Sequence, residues 1–572
     1  MTTPRDALAL HAAGKTTDAL IALFNAIGSH PSQSAATAEH RRTLASLLEG
    51  VALTSGNAAV FHGLLELLRD PQVDAQSVAR AVLGLLGVHG AFQMLEREAL
   101  AGAPATPMAL QALFAEPLVR EALRRIIVTE ARAERVFAFS RRALAGTEWD
   151  AADEPWRIDA MATLAAAANA GEYAWPETAE ESVRVHAAME VLTAWLDGSD
   201  RDSMAPAVAG QLVRVSMYRG LSSLASADRL LDIPGDVWGG EWLRTLGPLF
   251  DTHLREPRAQ QALADTLPSL VPNTPGDAHE TSARVRAMYE AHPYPRWHTV
   301  ALPQLTSIPA FIRALAARTA VPETNRVLIA GCGTGRQAAH TAISFPDADI
   351  LSLDLSRNSL GYAAYKTRAL GITNLSFVHG DLLQLDALDE RFALVFCSGV
   401  LHHLADPMAG WQQLVRRLHP SGVMKVSLYS TVARRPVQAA RVLIAEQGFD
   451  ATDAGIRACR QFLLALPVDH PAHTVTESAD FFSASGVRDL LMHVQERTYT
   501  LNEVAADLEA LQLRFLGFQL PPAVRAAFTA RYPKPEAAND LALWARFEED
   551  NPTIFWGMYQ FFVEHRAVSR RS

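Results

Sequence analysis

The spacing of apolar residues changes character partway along the chain. Over residues 1 to about 280, apolar residues recur at intervals of three and four, which is the period of an amphipathic helix. Two long examples are VDAQSVARAVLGLLGVHGAFQMLEREAL and LVREALRRIIVTEARAERVFAFSRRALAG, both rich in good helix formers. Prolines and glycines interrupt the run at intervals that suit pairs of helices. We therefore expect residues 1–280 to form an all-α domain.

The first helical stretch carries a pattern typical of a tetratricopeptide repeat. Its small, large, small and helix-ending residues stand at the offsets used by the second helix of such a repeat, and they are Ala19, Leu23, Ala26 and Pro31. Further along the chain a weaker match to the same pattern occurs at Ala59, Gly63, Glu66 and Pro71. Two interpretations stay open: a repeat-like array of helix pairs, and an irregular helical domain.

From about residue 325, short apolar runs alternate with helix-like segments. The predicted strands are RVLIA, DILSLD, NLSFV, FALVFC, GVMKVSLY, LRFLGFQL and TIFWGMYQFFV. Strands that alternate with helices indicate a parallel sheet covered on both faces. We expect a seven-stranded, Rossmann-like α/β domain over residues 325–572, with the last two strands as a hairpin at one edge. A helical insertion is predicted at about 430–500, and residues 281–324 form a linker, or collar, between the domains.

Composition narrows the classes of function. The chain of 572 residues has a net charge of −10, which argues against a broad nucleic-acid interface. Its three cysteines are far apart and form no CxxC pair, so neither a disulfide framework nor a zinc site is indicated. The chain shows no secretory signal at its start and no run of 18 apolar residues, so we expect a cytoplasmic protein without a membrane span.

A glycine-rich turn follows the first predicted strand, in VLIAGCGTG. Gly331, Gly333 and Gly335 suit a backbone that turns with positive φ while a ligand lies against it. The GxGxG spacing differs from the GxGxxG of nicotinamide oxidoreductases, which argues against that class. Asp354 ends the second strand, within reach of a ribose diol, and Asp381 follows the third, where it could accept from an adenine amino group.

These motifs together resemble the class I S-adenosylmethionine-dependent methyltransferases. The phrases YEAHPYPRW, GCGTG, GVLHHLADPMAGW, LYSTVAR and RDLLMHVQE resemble more closely a bacterial family in which a tetratricopeptide-like helical region precedes such a domain. The resemblance to that family does not imply a particular substrate. The resemblance implies S-adenosylmethionine as cofactor and the following contacts to it: Gly331, Cys332, Gly333, Gly335, Asp354, Leu355, Asp381, Leu382, Ser398 and Arg296.

One position departs from the general pattern of this fold family. Most class I enzymes carry an acidic residue two places before the first glycine, where this chain has Ile329. We expect the collar YEAHPYPRW to compensate: Arg296 would pair with the cofactor carboxylate, and Glu290 or a tyrosine hydroxyl would meet its ammonium. In the alternative interpretation Tyr294 and Trp297 only pack the helical domain against the sheet.

Several side chains are candidates for contact with the methyl acceptor. His402 and His403 follow the fourth strand, where one of them could act as a general base; on an extended segment they would point opposite ways, and a structural role is the alternative. Tyrosines that could contact the acceptor are Tyr289, Tyr294 and Tyr429. His470 and His473 have a metal-like spacing but flank a proline loop, so no metal site is predicted, and His493 reads as part of a solvated helix.

The sequence predicts a methyltransferase that transfers a methyl group by in-line displacement. The acceptor is either a peptide or protein, bound on a concave helical surface, or a small molecule enclosed by the collar and the insertion. The alternative function is a helical binding scaffold with an inactive methyltransferase-like domain, for which Ile329 is the support. The oligomeric state is left open.

Overall fold

The chain divides into two compact units. The computed structural model describes residues 3–28, 35–146, 155–198, 201–270, 280–316 and 320–566. The first, the helical unit, comprises Met1–Arg258, Trp297–Ala301 and Gln447–Leu490; the second, the sheet unit, comprises Ala259–Arg296, Leu302–Glu446 and Leu491–Ser572. This division follows packing rather than sequence order. Residues 259–270 go with the sheet, and much of the predicted 430–500 insertion goes with the helices.

The helices account for most of the described chain. In chain order they are α1 Pro4–Ala12, α2 Thr16–Gly28, α3 Ala35–Leu48, α4 Ala58–Arg69, α5 Ala79–Leu86, α6 Gly90–Ala101, α7 Pro107–Ala115, α8 Pro117–Arg125, α9 Ala131–Gly146, α10 Pro155–Ala170, α11 Ala179–Asp197, α12 Arg201–Ser216, α13 Gly240–Phe250, α14 Glu256–Thr266, α15 Glu280–Ala291, α16 Ile308–Ala316, α17 Arg336–Ser344, α18 Arg357–Ala369, α19 Pro407–Arg417, α20 Arg435–Gln447, α21 Asp453–Leu464, α22 Ala484–Leu491, α23 Leu501–Ala510, α24 Pro522–Arg531 and α25 Leu541–Asp550. A π-helical turn, Asp251–Arg255, joins α13 to α14.

Short 3₁₀ helices and seven strands complete the secondary structure. The 3₁₀ segments are Ala75–Val78, Leu221–Ser223, Ala227–Leu231, Leu382–Ala387, Leu401–His403, Pro471–Glu477, Ala479–Phe482 and Pro535–Asn539. The strands are β1 Arg326–Ala330, β2 Asp349–Asp354, β3 Leu375–His379, β4 Phe392–Ser398, β5 Leu418–Leu428, β6 Leu513–Phe518 and β7 Tyr559–His565.

The helical unit buries the apolar stripes that its sequence pattern predicts. In α2, Ala19 and Leu23 are fully buried, as expected of the small and large positions of a helix pair. A Cβ on Gly63 of α4 would lie 2.4 Å from the Phe24 ring, so a glycine is what allows these two helices to approach. Pro31 lies outside the described residues. The all-α region is confirmed, and its regular repeat character stays a prediction.

Residues 447–490 join the helical unit through a buried ion pair. Arg460 of α21 is fully buried, and its guanidinium donates to both carboxylate oxygens of Glu134 in α9, at 3.1 and 2.6 Å. Its other N–H groups donate to the carbonyl oxygens of Phe481, at 2.6 Å, and Ala174. This segment therefore extends the helical core, although its sequence lies far from the other helices.

The sheet confirms the predicted α/β architecture. Its order is β3-β2-β1-β4-β5-β7-β6, with β7 antiparallel to both of its neighbours and the other pairs parallel. The central strands are buried on both faces, as their continuous apolar runs require. The last two strands do form an antiparallel pair, but β7 lies inside the sheet and β6 at its edge. Their connection is long, because it contains α24 and α25.

A short extended segment lengthens the other edge of the sheet. The backbone N–H of Leu270 donates to the carbonyl of His379 in β3 at 2.8 Å, and the His379 N–H donates to the carbonyl of Pro268 at 2.9 Å. The pairing is parallel. Residues that precede the collar thus belong to the sheet.

Within the described ranges, no single helix has both the length and the apolar composition to cross a membrane. Two helical stretches, Ala75–Leu86 and Gly90–Ala101, meet the criterion only when joined, and they are bent by 78°.

Candidate active site

The glycine turn after β1 is tight and closely packed. Gly331, Gly333 and Gly335 adopt φ values of 76°, 53° and 82°, in the left-handed region that favours glycine. A Cβ on Gly331 would lie 2.1 Å from the Val400 side chain, and one on Gly333 would lie 3.1 Å from the carbonyl oxygen of Tyr294. The turn thus has the conformation that the sequence predicts, and the collar passes directly over Gly333.

Asp354 lies at the carboxyl end of β2, beside this turn. Its Oδ2 accepts from the Gly333 N–H at 2.7 Å, and its Oδ1 accepts from the Ser356 N–H at 2.9 Å. Burial raises the pKa of Asp354 to about 6, although the backbone donors of Ser356 and Gly333 oppose the shift. The nearby Glu290 carboxylate raises that pKa further. The side chain is half-buried, and a carboxylate has lone pairs left for hydroxyl donors.

The ends of β3 and β4 continue the same edge. Asp381 begins the 3₁₀ helix after β3 and accepts from the Leu383 N–H at 2.9 Å. Leu382 behind it is buried, whereas Leu355, after β2, is half-buried. At the end of β4, Ser398 accepts from the Ser427 hydroxyl at 3.1 Å.

The carboxyl edge of the sheet suits an elongated, polar ligand. The strands beneath are buried, yet the residues at their ends are partly accessible, and these are Gly331, Gly333, Asp354, Leu355, Asp381 and Ser398. Cys332 and Gly335 lie beneath this edge, buried. Two carboxylates at neighbouring strand ends and a glycine turn fit the ribose, adenine and methionine parts of S-adenosylmethionine.

The collar lies against the glycine turn through its backbone. The Thr334 hydroxyl donates to the carbonyl oxygen of Pro295. Arg296 is exposed, and the chain passes into the helical unit at Trp297, which is buried there. Glu290, a predicted ammonium contact, instead accepts from the backbone N–H groups of Arg357 and Asn358, both at 2.9 Å.

The two histidines after β4 are both buried. They lie in the 3₁₀ turn Leu401–His403 rather than in an extended segment, and their rings meet edge to face with centroids 4.3 Å apart. The expectation that they point opposite ways is therefore wrong, because the helical turn brings both rings to one side. Nδ1 of His402 accepts from the Tyr429 N–H at 3.4 Å, and Nδ1 of His403 lies 2.7 Å from the carbonyl oxygen of Gln495.

Aromatic rings extend the histidine pair into a stack. The His402 ring stacks on Tyr429 with centroids 4.0 Å apart, and the His403 ring stacks on His493 at 3.7 Å. Nε2 of His493 lies 3.2 Å from the Tyr289 hydroxyl. His493 is half-buried in this stack, so the prediction of a solvated helix is wrong for it.

Burial keeps these imidazoles neutral. It lowers the pKa of His402 well below the usual 6.5, with His403 adding to the shift, and it lowers the pKa of His403 to about 4. Burial, and next the neighbouring His403, lower the pKa of His493 to about 2. At neutral pH all three rings carry one proton each, and their hydrogen bonds fix which nitrogen carries it.

Three contacts of the site have no clear signal in the sequence. Ser356, Thr334 and the Tyr294 carbonyl take part through turn geometry and backbone atoms, which a motif does not show. Ser356 had one available signal, since serine is a preferred residue at a helix N-terminus. His470 accepts from the Ala472 N–H at 3.1 Å and so begins a 3₁₀ turn.

Comparison with known proteins finds similarity to methyltransferases in part of the sheet unit. Residues 327–422 match the family described as a methyltransferase domain. Over 258 residues the chain is 28% identical to an uncharacterized protein of Synechococcus, a match that covers 41% of this chain and 59% of that protein. Over 103 residues it is 35% identical to the trans-aconitate 2-methyltransferase of Deinococcus radiodurans, covering 18% of this chain and 37% of that protein.

Among solved structures, PKMT2 from Rickettsia typhi in complex with AdoHcy is similar with a TM-score of 0.36 and 18% identity, over 46% of this chain and 55% of that chain. The chain spans about three fifths of the Synechococcus relative. The family match over residues 327–422 supports the methyltransferase domain that the motifs predict, for which S-adenosylmethionine is the expected cofactor.

Proposed function

We propose that this methyltransferase domain is active and transfers a methyl group to an acceptor by in-line displacement. The observation that carries the proposal is the arrangement at the carboxyl edge of the sheet. A positive-φ glycine turn and two partly accessible carboxylates, Asp354 and Asp381, stand at the ends of three adjacent parallel strands. A doubly wound sheet binds its ligand at this place.

The proposed cofactor contacts follow from position along that edge. Asp354 and Leu355 hold the ribose, Asp381 and Leu382 hold the adenine, and the glycine turn with Cys332 and Ser398 lies along the methionine part. Arg296 of the collar pairs with the carboxylate. When bound, the cofactor supplies a methyl group that is already activated on a sulfonium. The domain's own task is then to position the acceptor and to exclude water.

The histidine turn offers one nitrogen that can accept a proton. Because Nδ1 of His403 faces a carbonyl oxygen, that nitrogen carries the proton and Nε2 carries the lone pair. In His402 the order is reversed, since Nδ1 accepts from a backbone N–H; its Nε2 finds no hydrogen-bond partner among the described residues. We assign His403 as the base for acceptors that lose a proton during transfer. His402 orients it, and Tyr294 lines the acceptor side.

The acceptor is a peptide or protein, or a small molecule. Supplying labelled S-adenosylmethionine to the protein with host lysate, and separating the lysate into protein and metabolite fractions, decides between these classes. Label in the protein fraction supports the first class, and label in small molecules supports the second. Label in neither fraction, with no binding of the cofactor by calorimetry, would support the inactive scaffold instead.

A matched pair of variants tests the site itself. Gly333→Ala places a Cβ 3.1 Å from the Tyr294 carbonyl oxygen, at φ 53°. Gly371→Ala carries the same kind of backbone strain, at φ 69°, but has no atom within 4 Å. We expect Gly333→Ala to weaken S-adenosylmethionine binding by at least about tenfold, and Gly371→Ala to leave it unchanged. Equal binding by both variants would refute the assignment of the turn.

A further inference from the structure

Glu290, in the last turn of α15, caps the N-terminus of α18. The first N–H groups of a helix have no partner within it. Here Oε1 of Glu290 accepts from Arg357 N–H and Oε2 from Asn358 N–H, both at 2.9 Å, while the Ser356 side chain accepts from Ser359 N–H at 3.0 Å. The carbonyl oxygen of Glu290 accepts from the Asn358 side-chain amide at 2.8 Å. The start of α18 is thus held from outside by one carboxylate.

A short chain of contacts joins Glu290 to Asp354. The Ser356 hydroxyl donates to Oε2 of Glu290 at 3.3 Å, and the Ser356 N–H donates to Oδ1 of Asp354 at 2.9 Å. The second oxygen of Asp354 accepts from the Gly333 N–H at 2.7 Å. The orientation of Asp354 therefore depends on both the glycine turn and the position of Ser356, and Ser356 is fixed by Glu290.

A second anchor supports the same docking. Arg357 donates to the carbonyl oxygens of Ala264 and Leu267, both at 3.1 Å, and to the Ser269 hydroxyl at 2.5 Å. These acceptors lie at the end of α14 and in the segment paired with β3. Residues before 271 and after 279 thus hold the beginning of α18. Of these two contacts among the described residues, the one from Glu290 reaches Asp354 through Ser356.

We propose that Glu290 is a positioning residue of the cofactor site, which holds Ser356 and the first turn of α18 so that the carboxylate of Asp354 faces the ribose hydroxyls. This inference rests on the proposed function of Asp354. In this proposal Glu290 acts on the ribose site indirectly, through Ser356 and Asp354, and does not contact the cofactor ammonium group.

The charges around Asp354 give this role a signature in pH. The groups that interact electrostatically with it are Glu290 from α15 and Cys332 from the glycine turn. Arg357 at the start of α18 and Arg286 of α15 act on the neighbouring His379 of β3, as does Glu290. Since the pKa of Asp354 is raised to about 6, its carboxylate is present above that pH and is lost as the pH falls through it. Cofactor binding should fall over the same range. The negative charge of Glu290 contributes to the high midpoint, so its removal should move the midpoint to lower pH.

Three variants test the proposal by calorimetry with S-adenosylhomocysteine between pH 5 and pH 8. Glu290→Gln loses the charge and one acceptor, and we expect affinity about tenfold weaker at pH 8, with the midpoint moved to lower pH. Glu290→Asp keeps the charge and should keep the wild-type midpoint while its shorter side chain weakens binding. Asn358→Ala removes only the contact to the Glu290 carbonyl and should stay within about threefold of wild type at an unchanged midpoint.

Amide hydrogen exchange in the protein without ligand gives a second readout. In Glu290→Gln the amides of Arg357 and Asn358 should exchange faster, while amides of β1 stay protected, which also shows that the variant is folded. Wild-type affinity and midpoint in Glu290→Gln would overturn the inference, and so would an equal loss at every pH. If the wild-type protein does not bind S-adenosylhomocysteine at all, the proposed function fails instead.

Discussion

The attachment of residues 447–490 to the helical unit gives a sharp prediction for Arg460→Met. The Arg460 side chain is 0% exposed and the Glu134 side chain 3% exposed, and their paired groups are 2.6 Å apart at the closest. The variant fills a similar volume with an apolar side chain, so it tests the charge rather than the packing. It leaves the Glu134 carboxylate buried without its cation, together with two carbonyl oxygens that lose a donor.

The expected loss of unfolding free energy can be divided between the Glu134 carboxylate and the two carbonyl oxygens. Removing one partner of a buried ion pair costs about 3–5 kcal/mol, most of it from the charge that remains. Each of the two buried carbonyl oxygens adds about 1–3 kcal/mol if it finds no new donor. In the double variant Glu134→Leu with Arg460→Met, the stranded charge is gone and only the carbonyl contribution remains. The double variant should therefore be more stable than Arg460→Met alone.

Native-state amide exchange in increasing urea measures the loss of stability around Arg460 locally. A local measurement is needed because a chain of two units need not unfold in one step. Amides of α9 and α21 should lose protection together in Arg460→Met. The matched control is Arg229→Met in the same unit, where Arg229 and Asp197 are 43% and 56% exposed and 2.9 Å apart. We expect that control to cost less than about 1 kcal/mol. An Arg460→Met variant no less stable than the control would refute the reasoning.

Three further changes test the sheet unit. Gly361→Ala places a Cβ 2.4 Å from the Gln260 carbonyl oxygen and 2.8 Å from the Ala264 Cβ, so it should lower the unfolding free energy by about 1–3 kcal/mol. Gly557→Ala has open space around its new Cβ and should leave that free energy unchanged. Urea titration of both variants compares the two values. The folded pKa of His403 is about 4 and its ordinary value is 6.5, so between these limits the unfolded chain binds a proton that the folded chain does not. Stability therefore falls as the pH falls from 6.5 to 4. His403→Gln should reduce the slope of unfolding free energy against pH in this range by up to about 1.4 kcal/mol per pH unit. Arg296→Ala should weaken S-adenosylmethionine binding by about tenfold, and an unchanged dissociation constant by calorimetry would reject the pairing with the cofactor carboxylate.

The sheet could be predicted from sequence because its strands are short apolar runs that alternate with helix-like segments. β1 and β2 begin and end at the predicted residues, since both carry the short, mainly apolar run that a strand in the middle of a covered sheet needs. β7 begins only at Tyr559, after the predicted start of its run. Thr553 to Trp556 form turns there, and aromatic residues do not distinguish a turn that packs from a strand that pairs.

The contacts that define the units could not be predicted in the same way. Helical periodicity shows that α21 buries one face, but not which partner covers it. The carboxylate that meets Arg460 belongs to Glu134, 326 residues earlier. The histidine turn shows a different limit. The place of its two histidines directly after a strand predicts an extended segment, whereas three residues of 3₁₀ helix bring both rings together. Local conformation decided that outcome, and a run of three residues has too little pattern to reveal it.

The absence of an acidic residue at Ile329 is the support for an inactive scaffold, and the surroundings of Ile329 weaken that support. The side chain is 1% exposed in β1 and packs in the core on one face of the sheet. An acidic residue with the same buried side chain would need a partner there, so isoleucine suits the packing as it stands. An ammonium group needs hydrogen-bond acceptors, which carbonyl oxygens supply as well as carboxylates. The collar brings the Tyr294 carbonyl against Gly333, at the turn where the methionine part of the cofactor would lie. The missing carboxylate therefore does not by itself favour a scaffold over an enzyme, and the decision falls to cofactor binding.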